Sequence, residues 1–87
     1  MNLALHIRNY LLGSLQEEDT ELLEELFFVN ADVASLLCIV EDDLVDAYVR
    51  GGLTGEVLAG FESFYLASPR RCARVSFAAQ FLRIVDR

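Results

Sequence analysis

The amino-acid sequence predicts an all-α fold: a single domain, residues 1–87, formed by a small bundle of about five helices. A chain of this length normally forms one domain, and 54% hydrophobic residues suffice for a modest core. The apolar residues recur at helical spacing, and glycines and one proline separate the helical segments. No two alternating apolar runs are joined by a tight turn, so strands are not expected.

The first two helices are predicted on either side of Gly13. Apolar residues at helical spacing begin at Leu3, and Gly13 can adopt the positive φ that ends a helix, so the first helix should end near Leu12. The second helix should run from Glu17 to about Phe28, because carboxylates crowd its first turn and complement the helix dipole. Its apolar face is predicted to consist of Leu22, Leu23, Leu26 and Phe27.

The third helix is predicted to begin after Asn30, a good N-cap residue, and to end at Gly51 and Gly52. Its inward residues are predicted to be Val33, Leu36, Leu37, Val40, Leu44 and Tyr48, and its outward residues Asp42, Asp43 and Asp46. Thr54 should cap a fourth helix that continues through Tyr65. Ser68 and Pro69 mark the start of the fifth helix, since proline is favoured in a first helical turn.

Two halves of the chain align without a gap when Tyr10 is placed on Tyr48. In this repeat alignment, the other identities are Gly13 with Gly51, Leu15 with Leu53, Glu18 with Glu56 and Glu24 with Glu62. Apolar positions then continue in step. We interpret this pattern as a duplicated helix-turn-helix unit, with copies at approximately residues 3–40 and 41–87.

The charge is unevenly distributed along the chain. The formal net charge is −7, yet residues 1–46 carry eleven acidic residues and one arginine, whereas residues 47–87 carry three acidic residues and six arginines. Such an acidic surface repels phosphate backbones, so direct nucleic-acid binding is not expected. It would attract basic proteins, although charges kept for solubility are an alternative explanation.

Neither a membrane span nor a disulfide framework is expected. No apolar run is long enough to cross a bilayer, and the N-terminus is a poor signal peptide, so we expect a soluble, cytoplasmic chain. Cys38 and Cys72 are far apart and are interpreted as two ordinary thiols.

The sequence does not favour an enzyme or a cofactor site. His6 is the only histidine, and no Ser, Cys or Asp lies at a telling distance from it, so a surface position is the simpler interpretation. Adjacent acidic residues point about 100° apart on a helix and do not form a catalytic pair. No glycine-rich loop followed by lysine is present, so a phosphate site is not expected.

The fifth helix is apolar around much of its circumference. A core stripe is predicted from Val75, Ala78, Leu82 and Val85, and a polar stripe from Ser76, Gln80, Arg83 and Arg87. A further apolar stripe is formed by Phe77, Phe81 and Ile84 at positions i, i+4 and i+7. It should be covered either by the first helix of the bundle or by a partner, which includes a second copy of the chain.

Residues 42–75 contain Tyr48, Gly51, Leu53, Thr54 and Glu56, followed by a predicted helix that leads to Ser68 and Pro69. On these residues the segment resembles the cytoplasmic anti-sigma domain of the zinc-finger anti-sigma factor family. The family pattern is a Tyr, then Gly and Leu, a Ser or Thr cap, a Glu in the first turn, and a helix that leads to a His-x-x-x-Cys-x-x-Cys site. The first part of the pattern is matched by Tyr48, Gly51, Leu53, Thr54 and Glu56. The metal positions fall on Phe64, Ser68 and Arg71, which are not normal zinc ligands. The resemblance therefore implies a zinc-less member without a metal.

The resemblance also implies a function: binding an extracytoplasmic-function sigma factor and blocking its access to RNA polymerase. In that role the carboxylates of Asp42, Asp43 and Asp46 would face basic sigma surfaces, and Phe77, Phe81 and Ile84 would supply apolar contact area. The alternative is a stand-alone helical interaction or homodimerisation module that has no sigma partner.

Overall fold

The computed structural model describes residues 2–85, which contain five α-helices and no strand. The helices are α1 (Leu3–Leu11), α2 (Glu17–Val29), α3 (Ala31–Val49), α4 (Gly55–Ser63) and α5 (Pro69–Val85), with a 3-10 turn at Tyr65–Ala67 between α4 and α5. The all-α prediction is confirmed. Arg87, the last member of the predicted polar stripe, lies outside the described residues.

The two halves of the chain place their helix ends at equivalent positions. In the repeat alignment, the end of α1 coincides with the end of α3, the start of α2 with the start of α4, and the start of α3 with the start of α5. The turns agree as well: Gly13 and Gly51 have φ of 75° and 77°. In each turn the next N–H donates to a carbonyl five residues earlier, at 2.9 and 2.8 Å, which is the Schellman arrangement.

The cap at the start of α3 forms as predicted. The Asn30 side-chain oxygen accepts hydrogen bonds from the N–H groups of Asp32 and Val33 at 3.0 and 3.2 Å. Thr54 takes the cap position of α4, but its side chain makes no capping hydrogen bond. Substituting Asn30 would therefore remove two backbone partners, whereas Thr54 contributes by its extended backbone alone.

The fourth helix is shorter than predicted, because it ends at Ser63 and a 3-10 turn carries residues 65–67. Ser68 is extended, with φ −89° and ψ 127°, since the residue before a proline is driven out of the helical region. The tighter turn completes the connection within three residues and directs Tyr65 into the core, where it is fully buried.

The core lies where α1 and α3 meet the aromatic residues of the second unit. The Phe61 ring stacks between Tyr48 and Tyr65, with centroid distances of 4.4 and 4.6 Å. The buried core cluster consists of Ile7, Leu11, Leu12, Leu23, Leu44, Val45, Leu53, Phe61 and Tyr65. Residues of both units thus share one hydrophobic core.

Two predictions about inward faces are wrong. Leu22 and Leu26 of α2 are exposed, and so is Val85, a predicted core residue of α5. Helix α5 has no fully buried residue at all. Each of these two helices packs against α3 with one of its sides, and a domain this small has too few elements to cover the other side.

Cys38 and Cys72 are free thiols on the surface, as expected. Within residues 2–85, no helix combines the length and the apolar character needed to cross a membrane.

Candidate functional site

The outer face of α5 carries three large apolar side chains that lie in solvent. Phe77, Phe81 and Ile84 are 71%, 60% and 66% exposed, and they form the surface named here the α5 stripe. The opposite side of α5 is half-buried through Val75 and Ala78, which pack against the core. The stripe was predicted to be covered either by the first helix or by a partner. The first helix does not cover it, because the chain's own helices leave the stripe exposed.

The internal repeat supplies a comparison for this face. In the repeat alignment, the α5 stripe corresponds to Ile39, Asp43 and Asp46 of α3, which are also exposed. Two of these three positions carry carboxylates, although α3 and α5 begin at equivalent positions. The fold therefore does not require apolar residues at the positions of Phe81 and Ile84, and exposed apolar groups of this kind are typical of interaction sites.

A polar cluster attaches α5 to α3. The Tyr65 hydroxyl donates to Glu41 Oε2 at 2.6 Å, and Arg74 Nη1 lies 3.7 Å from Glu41 Oε1. The Arg74 guanidinium also donates to the Asp42 carboxylate. One arginine thus contacts two successive acidic residues of α3, which fixes the first half of α5 beside the middle of that helix.

The same cluster keeps the Tyr65 hydroxyl protonated. Burial raises the pKa of Tyr65, and the hydrogen bond to the negatively charged Glu41 raises it further. The Arg71 guanidinium lies 4.8 Å from the centre of the Tyr65 ring, in a cation–π contact. Tyr65 therefore remains a neutral hydrogen-bond donor, and the cluster has a structural role.

The three aspartates predicted to meet a partner do not form one free patch. Asp42 is paired with Arg74, and Asp46 Oδ1 lies 3.0 Å from Arg50 Nε. Asp43 is exposed and lines a groove between α1 and α3 together with Arg8. All three remain in contact with solvent, but the charge of two of them is partly balanced within the chain.

Sequence reasoning did not identify Glu41 and Arg74 as the residues that position α5. The available signal was the charge asymmetry, since arginines concentrate early in the fifth helix and carboxylates concentrate in the third. Pairing them requires knowledge of which helices are neighbours, and the sequence pattern does not supply it.

The three positions that align with the zinc ligands of anti-sigma domains make other contacts in this structure. The Phe64 ring packs against Gly13, where an added Cβ would lie 2.5 Å from a ring carbon. Ser68 precedes α5, and Arg71 covers Tyr65. Within residues 2–85 no group of three potential metal ligands is present. Phe64 therefore connects the end of α4 to the turn between α1 and α2.

His6, the only histidine, is bonded to its own helix. Its Nδ1 atom lies 2.8 Å from the Asn2 carbonyl oxygen, one turn earlier. Such a local contact is typical of a helix surface residue.

The chain matches no known protein family, no curated protein and no solved structure.

Proposed function

We propose that this chain is an anti-sigma-like protein that binds an extracytoplasmic-function sigma factor through the α5 stripe. The observation that carries the proposal is the exposure of Phe77, Phe81 and Ile84, the last two at positions where the equivalent helix α3 has carboxylates. Large apolar side chains on a soluble surface are typical of protein interfaces, and aromatic anchors commonly provide much of the binding energy.

The charge of the chain supports a basic partner. The net charge is −7, and all six carboxylates of α2 are exposed. A field of this sign attracts basic protein surfaces and accelerates their encounter with the chain, mostly at low salt. Asp43 adds a carboxylate for which no ion pair forms within residues 2–85.

The proposed mechanism is steric occlusion. The bound helical domain would cover sigma-factor surface that RNA polymerase needs, and no covalent chemistry is involved. Support for the choice of a sigma factor comes from the resemblance of residues 42–75 to zinc-finger anti-sigma domains, on Tyr48, Gly51, Leu53, Thr54 and Glu56. Because sigma factors act on polymerase inside the cell, the proposal places this chain in the cytoplasm.

The test is binding of purified extracytoplasmic-function sigma factors from the source organism, measured by calorimetry. The double variant Phe77→Gln, Phe81→Gln should bind at least about tenfold more weakly, since loss of buried aromatic anchors commonly costs about 2 kcal/mol or more. Phe28→Gln is the matched control, because Phe28 is an exposed phenylalanine on α2, outside the α5 stripe. It should leave binding unchanged.

Two results would contradict the proposal. One is the absence of binding to every such sigma factor of the organism. The other is equal binding by the double variant and the natural chain, which would place the contact elsewhere. In the first case the alternative holds, in which the chain is a helical interaction or homodimerisation module without a sigma partner.

A further inference from the structure

A second exposed apolar stripe lies on α2. Leu22, Leu26 and Val29 are 61%, 40% and 69% exposed, and they follow one another at i, i+4 and i+7. This spacing places them on one side of the helix, and they are named here the α2 stripe. The buried Leu23 and the half-buried Phe27 pack against the core instead.

The α2 stripe and the α5 stripe have the same spacing. One constant shift along the chain carries each member of the α2 stripe onto a member of the α5 stripe: Leu22 onto Phe77, Leu26 onto Phe81, and Val29 onto Ile84. Two helices that lie side by side in parallel can therefore bring all three pairs together at one register. Interdigitated apolar side chains at this spacing are the usual form of helix–helix contact.

The charges that precede the two stripes are opposite. The first turn of α2 contains Glu17, Glu18 and Asp19, all exposed. Arg70 is exposed and precedes Phe77 by seven residues, so it lies on the same side of α5 as the stripe, whereas Arg74 is already paired with Glu41 and Asp42 of its own chain. A parallel α2–α5 contact therefore places the carboxylates of the first turn of α2 near the exposed guanidinium of Arg70.

Other pairings of these faces are less favourable. Two α2 helices in parallel would bring carboxylates together, and two α5 helices in parallel would bring arginines together. An antiparallel arrangement of any of these helix pairs would leave the charges of one helix opposite the apolar end of the other helix's stripe. Only the parallel contact between α2 and α5 satisfies both the apolar spacing and the charge.

We infer that the α2 stripe of one copy packs against the α5 stripe of a second copy. Because the contact uses two different surfaces, it can close a dimer or extend into a chain of copies. A further consequence rests on the proposed function: the second copy would occupy the α5 stripe, and a sigma factor would have to displace it. Self-association would then weaken sigma binding at high protein concentration.

The test uses two variants whose net charge is unchanged. The variant Leu22→Gln, Leu26→Gln alters only the α2 stripe, and Phe77→Gln, Phe81→Gln alters only the α5 stripe. Sedimentation equilibrium over a concentration series should show a mass above the 9.8 kDa of one chain for the natural protein and 9.8 kDa for each variant alone. Circular dichroism checks that both variants are folded.

Mixing the two variants is the decisive step. One retains a natural α5 stripe and the other a natural α2 stripe, so the mixture should regain a mass above that of one chain. A mixture that remains monomeric, or a natural protein that is monomeric throughout, would overturn the inference. Association of the α2 variant alone would overturn it too, since that result would indicate an α5–α5 contact.

The two proposals fail in distinguishable ways. The α2 variant should bind sigma factor at least as tightly as the natural chain, because its α5 stripe is intact and no copy competes for it. The mass measurements need no sigma factor, so they stand if the sigma proposal fails. A monomeric natural protein would leave the sigma proposal unaffected.

Discussion

Replacing Phe77 and Phe81 with glutamine should leave the protein folded, because most of each ring already lies in solvent. The side chains are 71% and 60% exposed. Complete burial of a phenylalanine is worth about 1.5–3 kcal/mol, so the buried fractions contribute about 0.4–0.9 and about 0.6–1.2 kcal/mol. The double variant should therefore lose about 1–2 kcal/mol of unfolding free energy.

Phe61→Ala is the matched control from the core. Its side chain is 0% exposed and stacks between two tyrosines, and truncation of a buried phenylalanine costs about 3–5 kcal/mol. A domain with about 5–10 kcal/mol of stability would be brought close to unfolding by that single change.

Urea denaturation followed by circular dichroism measures both losses, and thermal melting gives a second reading at about 4–8 °C per kcal/mol. A double variant that loses as much unfolding free energy as Phe61→Ala, or that fails to fold, would contradict this prediction. Phe77 and Phe81 would then be core residues, and the proposed binding surface would have no basis.

Two further predictions concern Tyr65 and the repeated turn. The pKa of Tyr65 is higher in the folded protein than in the unfolded chain. Its contribution to folding stability is therefore fully present below the unfolded pKa of 10.0 and is lost as the pH rises above that value. Urea denaturation at pH values from about 9 to about 11 should show this loss of unfolding free energy in the natural protein and a smaller loss in Tyr65→Phe. If the unfolding free energy falls equally with pH in both proteins, the loss does not come from Tyr65. Gly51→Ala should cost about 1–2 kcal/mol from positive φ alone, because nothing lies within 4 Å of the added Cβ. Gly13→Ala should cost more, since the Phe64 ring must also move, and equal losses in urea denaturation would mean that this ring contact is unimportant.

The repeat alignment allows the outer faces of α3 and α5 to be compared. The turns at Gly13 and Gly51 have the same geometry, and α3 and α5 begin at equivalent positions. In the repeat alignment, the outer side of α3 carries Ile39, Asp43 and Asp46 where the outer side of α5 carries Phe77, Phe81 and Ile84. Equivalent helix starts are thus compatible with different side chains on this outer face.

Local signals in the sequence were sufficient for the helices and for most of their ends. Asn30, Pro69 and the two turn glycines each act on the backbone within a few residues, so their effects do not depend on distant contacts. The repeat alignment of Tyr10 with Tyr48 was visible for the same reason, because turn residues recur at fixed positions.

Tertiary structure alone decided which apolar faces are buried. Helical spacing shows that a face is apolar but not whether a neighbour covers it. It predicts that Leu22, Leu26 and Val85 point inward, although they lie in solvent. The pairing of Glu41 with Tyr65 and Arg74 likewise depends on α5 lying beside α3. These contacts join residues that are far apart along the chain, so they leave no local pattern in the sequence. Caps and turns do leave such a pattern.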